Sequence, residues 1–304
     1  MSSRITQNSI NRTTLSNIKL NYKEMQEIQE KLSTGKRLNR PSDDPSGMRK
    51  VLGFKTEKIR VQQFLDNASI ASEQIIFTFN SLENIQSAVE RVQTLALEAG
   101  NDTLGVDERT IIASEIDGFL ETILQFSNMT DSNGRYIYSG TKTLTETFSA
   151  TRNSTGEISS VSYNGNSEEL EQQIGPNSYV KVNKSGDKLF LNNNLFSTLV
   201  SMRDELKSSS YSSNTFLSLR GALETAANSL MSEMTKFGAT ANRLEISISR
   251  LESSKLSLKE LISYSEDADI AELIMELKNQ ENVLQSSLQT GARIIQPTLL
   301  DFLG

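Results

Sequence analysis

Apolar and small side chains recur at alternating spacings of three and four along one stretch of the chain: Val61, Leu65, Ala68, Ser72, Ile75, Phe79, Leu82, Gln86 and Val89, with Ile85 and Val92 beside them. The stripe predicts a single helix from Asp44 to Ala99, broken in character only at Ser72 and Gln86. Asp44 is placed to cap it, and Pro45 fills its first turn, where a missing N–H costs nothing. Gly47 and Gly53 weaken its start, and Gly100-Asn101 supplies a stop. At a rise of ~1.5 Å per residue such a helix spans roughly 80 Å. A compact chain of this length has a radius of gyration of only about 19 Å, so a rod is expected.

Shorter stripes flank it. Leu15, Ile18, Tyr22, Met25, Gln29 and Leu32 alternate strictly and predict a first helix, with Glu27 and Lys31 as an i,i+4 pair. Gly35 ends that helix, and a loop from Ser33 to Asp43 leads into the long one. A third helix is expected from about Asp107, as its N-cap, to about Asn128, on Ile112, Ile116, Phe119, Ile123 and Phe126. Arg135 to Phe196 is rich in Gly, Asn, Ser and Thr, with β-type runs at Tyr136-Ile-Tyr, Glu157 to Tyr163, Tyr179 to Val182 and Lys188-Leu-Phe-Leu. Helical periodicity returns at Leu195 to Lys207 and pauses at Ser208 to Ser213. Phe216, Leu219, Leu223, Ala226 and Leu230 then lead to a break near Gly238, followed by Ala241, Leu244, Ile248, Leu251, Lys255, Leu258 and Ile262. Ile270, Leu273, Leu277, Leu284 and Leu288 mark a last helix before Pro297 and the apolar ending Leu299 to Leu303.

The fold class expected is therefore mainly α with a small, mostly antiparallel β unit. Its economical arrangement is an elongated hairpin-like rod with both termini at one tip and the β-rich insertion at the other. Three parts follow: residues 1–43 with 263–304, residues 44–134 with 197–262, and residues 135–196 as a β-rich outer part.

Composition narrows the function. A net charge of −7 and the absence of any basic run argue against a phosphate-backbone binder. With 0 His and no Cys, the chain has no imidazole base or ligand, no thiolate and no disulfide framework. No apolar core of signal-peptide length stands at the start, and no run approaches a membrane span. Neither catalytic nor cofactor-binding residues are expected, so the reading is not an enzyme. Asp43-Asp44 reads as capping rather than as metal ligands or an acid/base pair, because Pro45 follows. The turn Asp131-Ser-Asn-Gly134 has the flavour of a calcium loop, yet aligning Gly134 puts Met129 at the first ligand position and Gly140 at the bidentate one. Gly134 to Lys142 misses a phosphate loop, its glycines lying one residue too far apart. No metal is expected.

Leu32-Ser-Thr-Gly-Lys-Arg-Leu-Asn-Arg-Pro-Ser-Asp-Asp-Pro-Ser-Gly47 resembles the loop after the first helix of bacterial flagellins, in the form found in the hook–filament junction branch of that family. Phe237 to Glu245, Glu266-Asp-Ala-Asp-Ile-Ala-Glu272, Asn133 to Gly140, Gln285 to Leu288 and the Leu299 to Leu303 ending resemble further signatures. The resemblance implies an extracellular structural protein of the flagellum, exported by the flagellar type III route with no cleaved signal peptide. It implies termini paired as a coiled coil, a homo-oligomeric ring in the flagellar axis between hook-associated protein 1 and flagellin, and an export chaperone on the C-terminal segment. A filament-forming flagellin, or an intracellular coiled-coil adaptor, are the alternatives. Assembly is expected to rest on Leu15, Ile18, Tyr22, Met25, Leu32, Ile270, Leu273, Leu277, Leu284 and Leu288, with Gly35, Asp43, Asp44 and Pro45 shaping cap and loop. Whether the terminal stripes are intramolecular core or subunit contact stays open in the sequence.

Overall fold

The computed structural model describes residues 7–100 and 104–295, and the chain divides into two compact units: residues up to Arg60 with those from Ser254, and the interior Val61–Ser253. Asn101, Pro297 and the Leu299 to Leu303 ending lie outside the described residues. The fold is mainly α with a small β unit. In chain order it comprises α1 (Gln7–Thr34), α2 (Pro45–Ala99), α3 (Val106–Ser127), β1 (Phe148–Arg152), β2 (Ile158–Tyr163), β3 (Glu171–Gly175), β4 (Ser178–Lys181), α4 (Leu195–Lys207), α5 (Ser213–Glu266) and α6 (Ile270–Ile295). Among the described residues no helix is long and apolar enough to cross a membrane.

In the interior unit, α2 buries Val61, Phe64, Ala68, Ala71, Ile75, Thr78, Leu82, Ile85, Val89, Val92, Ala96 and Ala99. That set is an uninterrupted three-four alternation. It shares every second member with the stripe read from the sequence; of the others Leu65, Ser72 and Phe79 are only half-buried, their places taken by the preceding residue, while Gln86 is buried together with Ile85. Ile112, Ile116, Leu120 and Ile123 of α3 and Leu195, Leu199, Met202 and Leu206 of α4 add to this core, each such side chain contributing roughly 1.5–3 kcal/mol relative to exposure. α3 begins at Val106 rather than beyond an Asp107 cap: Gly105 is its N-cap, and the Gly105 N–H donates to Glu108 Oε2 at 2.7 Å. Asp107 and Glu108 thus stand in the first turn, where the helix dipole favours them.

The β unit is two separate antiparallel hairpins, β1–β2 and β3–β4. Phe148 pairs with Tyr163 and Arg152 with Ile158, with a bulge between Thr151 and Arg152; Glu171 pairs with Lys181. Two-stranded hairpins are marginal alone. The first is anchored by Phe148, whose ring lies 5.2 Å from Phe196 and 5.8 Å from Phe190 between centroids.

Two expected strands are not strands. Tyr136-Ile-Tyr makes only an isolated bridge from Tyr136 to Thr130. Lys188-Leu-Phe-Leu lies in a short π-type turn, Asp187–Leu191. Leu189 and Phe190 are consecutive and both fully buried; a strand would send them to opposite faces, whereas a helical turn lets both reach the core on one side. The break expected near Gly238 is also absent: α5 runs through it, because one glycine in a long packed helix costs only about 1 kcal/mol.

Candidate assembly interface

The unit that holds the chain ends is built on α1 and α6. They run antiparallel: Asn21 Nδ2 donates to Ser287 Oγ at 2.9 Å, Gln280 Nε2 donates to Glu24 Oε2 at 2.8 Å and to the Asn21 carbonyl at 3.2 Å, and a Cβ on Gly291 would stand 3.0 Å from Ile18 Cδ1. Facing residues on α1 are Asn11, Thr14, Ile18, Asn21, Met25, Ile28 and Leu32; on α6 they are Leu273, Leu277, Gln280, Leu284, Ser287 and Gly291. Both sets follow a strict three-four alternation.

Of the expected assembly residues, the seam takes Ile18, Met25, Leu32, Leu273, Leu277 and Leu284. Leu15, Tyr22, Ile270 and Leu288 stand outside it and are exposed, Tyr22 and Leu288 at 51% each. The alternation drawn through Leu15, Tyr22 and Gln29 is therefore displaced by one position from the actual seam at Thr14, Asn21 and Ile28. Small partners make that register possible: Ser287 accepts the Asn21 amide, and Gly291 leaves room for Thr14 and Ile18. The expected Glu27–Lys31 pair is replaced by Lys23–Glu27 at 3.5 Å. Two helices cover each other on one side only, so Ile10, Leu20, Ile274, Met275 and Val283 are also exposed.

The loop between α1 and α2 is fixed to the junction of α5 and α6. Gly35, at φ +69°, turns the chain, and its carbonyl accepts the Ala268 N–H at 3.0 Å. The Glu266 carbonyl accepts the Arg37 N–H at 2.8 Å. The Glu266 carboxylate is buried and receives Lys36 Nζ at 2.8 Å and Lys55 Nζ at 2.7 Å. Burial pushes this carboxyl up, but the two ammonium groups outweigh burial and hold it below the ordinary glutamate value. Leu38 is buried beneath the loop, and a Cβ on Gly47 would come within 3.0 Å of its Cδ1.

Asp43 Oδ2 accepts the backbone N–H groups of Arg40 and Asn39, at 2.8 and 3.0 Å, and these bonds lower its pKa. Asp44 Oδ1 accepts those of Gly47 and Ser46, at 2.9 and 3.0 Å, which caps α2 directly ahead of Pro45. Both carboxylates are thus spent on backbone donors. Asp131 is engaged likewise, by the Arg135 and Asn133 N–H groups and the Arg135 side chain. Sequence reading missed Asn21, Ile28, Leu38, Ser287, Gly291 and the Lys36–Glu266–Lys55 triad. Only the polar residues at seam spacing carried a signal.

The pairing of α1 with α6 along a polar-layered seam and the loop locked to the α5–α6 junction define a protein built on long paired helices. The model of the bacterial flagellin N-terminal helical region matches residues 5–143, and that of the C-terminal helical region matches residues 221–303. The chain belongs to the bacterial flagellin family, a family of flagellar structural proteins and not of enzymes. Flagellar hook-associated protein 3 of Escherichia coli (strain K12) is 30% identical over 161 residues, 53% of this chain and 48% of that protein; the chain thus spans about half the length of this relative. The flagellin of Bacillus subtilis (strain 168) is 28% identical over 308 aligned positions, covering 94% of both chains. Among solved structures, the flagellar hook associated protein-3 of Legionella pneumophila shares the fold with a TM-score of 0.60 at 19% identity, over 68% of this chain and 98% of that one.

Proposed function

We propose that this chain is a structural subunit of the hook–filament junction of the bacterial flagellum, forming a homo-oligomeric ring between hook-associated protein 1 and flagellin. One observation carries the reading. Leu15, Tyr22, Ile274, Met275, Val283 and Leu288 stay exposed around a pair of helices that is covered on one side only, and a helix pair apolar on several faces calls for further helices around it. In this reading, neighbouring subunits supply them. Likeness to hook-associated protein 3 supports the junction position.

The three parts expected from the sequence keep their roles in this reading. Residues 1–43 with 263–304 pair as a coiled coil, residues 44–134 with 197–262 form the rod, and residues 135–196 project outward. Terminal helices this weakly covered gain most of their order on assembly, which leaves the chain threadable for flagellar export, its C-terminal segment held by an export chaperone. A filament-forming flagellin is the second reading, favoured by the match to Bacillus subtilis flagellin along nearly the whole of both chains.

The test is a charge in the seam. Leu284→Asp is expected to be absent from flagella sheared from the source bacterium while the purified variant keeps the cooperative unfolding of its interior unit. Normal incorporation of Leu284→Asp overturns the reading. Immunogold label along the whole filament, instead of at its base, selects the filament alternative.

A further inference from the structure

Within the interior unit, Ile70, Glu73, Gln74 and Phe77 of α2 form one wall of a cavity of about 540 Å³. Their spacing sets the four side chains on one face of the helix. The other walls are the loop from Asp131 to Ile137, which follows α3, and the base of the β3–β4 hairpin, with Leu170, Gln172 and Val182. Hydrogen bonds fix both. Asn183 Oδ1 accepts the Leu170 N–H at 2.6 Å, its Nδ2 donates to the Gly140 carbonyl at 2.9 Å, and the Tyr136 N–H donates to the Thr143 carbonyl at 2.8 Å. The cavity is therefore preformed, and its volume is one that small ligands fill.

We propose that this cavity binds a neutral disaccharide carrying acetamido groups. The site lies wholly in the interior unit and is independent of the assembly reading above.

The charges of the lining select against ions. Two carboxylates, Glu73 and Asp131, face one guanidinium, that of Arg135, so an anion is repelled. Arg135 is also already committed: its Nε and Nη2 donate to Asp131 Oδ2 at 2.9 and 2.8 Å, which occupies one edge of the guanidinium and neutralises its charge. The anionic end of a zwitterion would gain little there. A cation would find one exposed carboxylate, Glu73, and a single exposed ion pair is worth little.

The uncharged groups point to hydroxyls and amides. The side chains of Glu73, Gln74, Asn133, Tyr136 and Gln172 have no hydrogen-bond partner among the described residues, and all five line the cavity. A carboxylate accepts only, Arg135 Nη1 donates only, and the three amides and the phenol do both. Sugar hydroxyls, each a donor and an acceptor, satisfy every one of them, whereas an amine would leave the amides unused. Phe77 and Tyr136 supply half-buried rings for the C–H face of a pyranose. Ile70, Ile137, Leu170 and Val182 give more apolar wall than a bare sugar covers. An acetamido substituent meets both needs, its methyl on that wall and its amide on the glutamines.

The test is saturation-transfer NMR on the purified full chain, titrated with N,N′-diacetylchitobiose. Transfer is expected to the acetamido methyl protons. Maltose, which lacks those groups, is expected to bind more weakly. Glu73→Ala and Gln172→Ala are each expected to weaken the disaccharide about tenfold, the effect of losing one strong hydrogen-bonded contact. Neither side chain bonds to the rest of the chain, so the urea midpoint of both variants is expected to match that of the unaltered protein. Absence of transfer to N,N′-diacetylchitobiose overturns the proposal. Undiminished transfer in both variants also overturns it, since the sugar then sits elsewhere, and maltose binding as tightly overturns the acetamido assignment. Spermidine binding that Glu73→Ala abolishes, with no transfer to the disaccharide, replaces the proposal with an amine site.

Discussion

The Glu266 carboxylate, on the last residue of α5, lies 2.8 Å from Lys36 Nζ in the loop that follows α1, with Lys55 of α2 completing the triad. A carboxylate at a helix C-terminus opposes the helix dipole, and this one is buried as well. It is tolerable there only with both lysines. The same residue's carbonyl receives the Arg37 N–H, so one position joins the α1–α2 loop to the α5–α6 junction through side chain and backbone together.

Glu266→Gln removes the charge and leaves the shape. Lys36 and Lys55 are each about two-fifths exposed and recover water, so the expected cost is moderate, about 1–3 kcal/mol. The loss is local. Amide hydrogen exchange is expected to speed up at Arg37, Leu38 and Ala268 and to stay unchanged in α3 and α4; uniform acceleration along the chain would contradict a local latch.

The response to acid follows from the same chemistry. Glu157 is held down to about 2 by the hydrogen bond from Lys207 and by Asn153, and Glu266 is lowered by its two lysines. A carboxyl whose folded-state pKa is depressed contributes stability above its unfolded value and loses it as pH falls through the folded value. The window here opens below the ordinary 4.5 and extends toward about 2. With 0 His there is no imidazole to titrate above it. The urea midpoint is expected to stay level from pH 8 to pH 5 and to drop below pH 4.5.

Arg203 joins three elements of the interior unit. Its buried guanidinium donates to Asp117 of α3 at 2.6 Å, to the Ile158 carbonyl of β2 at 2.7 Å and to Asp204 at 2.6 Å. Arg203→Met keeps the stem and deletes every donor, so the Ile158 carbonyl and both carboxylates, Asp117 and Asp204, lose it. Both aspartates retain some water, so the cost is expected near 2–4 kcal/mol rather than at the upper end for a buried pair. It is read as a lower urea midpoint for the unit. Asp117→Asn in the Arg203→Met background is expected to return part of it, because the stranded charge is then gone.

How much of this was legible in the sequence depends on the range of the cause. Asp44, Pro45 and Gly35 act within a few residues of themselves, and their roles can be read from local order. The stripes gave each helix its existence and one half of its seam: Ile18, Met25 and Leu32 in α1, and Val61, Ala68, Ile75, Leu82 and Val89 in α2. The other half shifted by one position in both helices for the same reason. A helix stripe is wide enough to carry apolar residues at two adjacent positions, and the partner decides which of the two is covered. Ser287 and Gly291 chose Thr14 and Asn21 over Leu15 and Tyr22. The Lys36–Glu266–Lys55 triad joins residues more than two hundred positions apart and left no local trace, and the helical turn at Leu189-Phe190 reflects an aromatic cluster assembled from three separate segments.

Asn21 is the residue on which the terminal pairing is most specifically tested. In a seam of Ile18, Met25, Leu277 and Leu284, its amide meets Ser287 at 2.9 Å, and the neighbouring layer is Gln280 on the Asn21 carbonyl. Polar layers between apolar ones cost stability and fix register, since a slipped pairing sets the Asn21 amide against apolar side chains. Asn21→Leu with Ser287→Ala is therefore expected to raise the stability of the helix pair by about 1 kcal/mol and to admit shifted or parallel pairings. Cysteines at Ile18 and Gly291 distinguish these states in a background without other thiols, because a Cβ at position 291 stands 3.0 Å from the Ile18 side chain in the native pairing. The native seam should cross-link them within one chain. The apolar seam should lose that product in favour of other links while its helices melt later. If the altered pair kept the native cross-link in full yield, register would instead be set by the Gly35 to Asp44 loop and the Glu266 triad, which tie the same two helices at their other end.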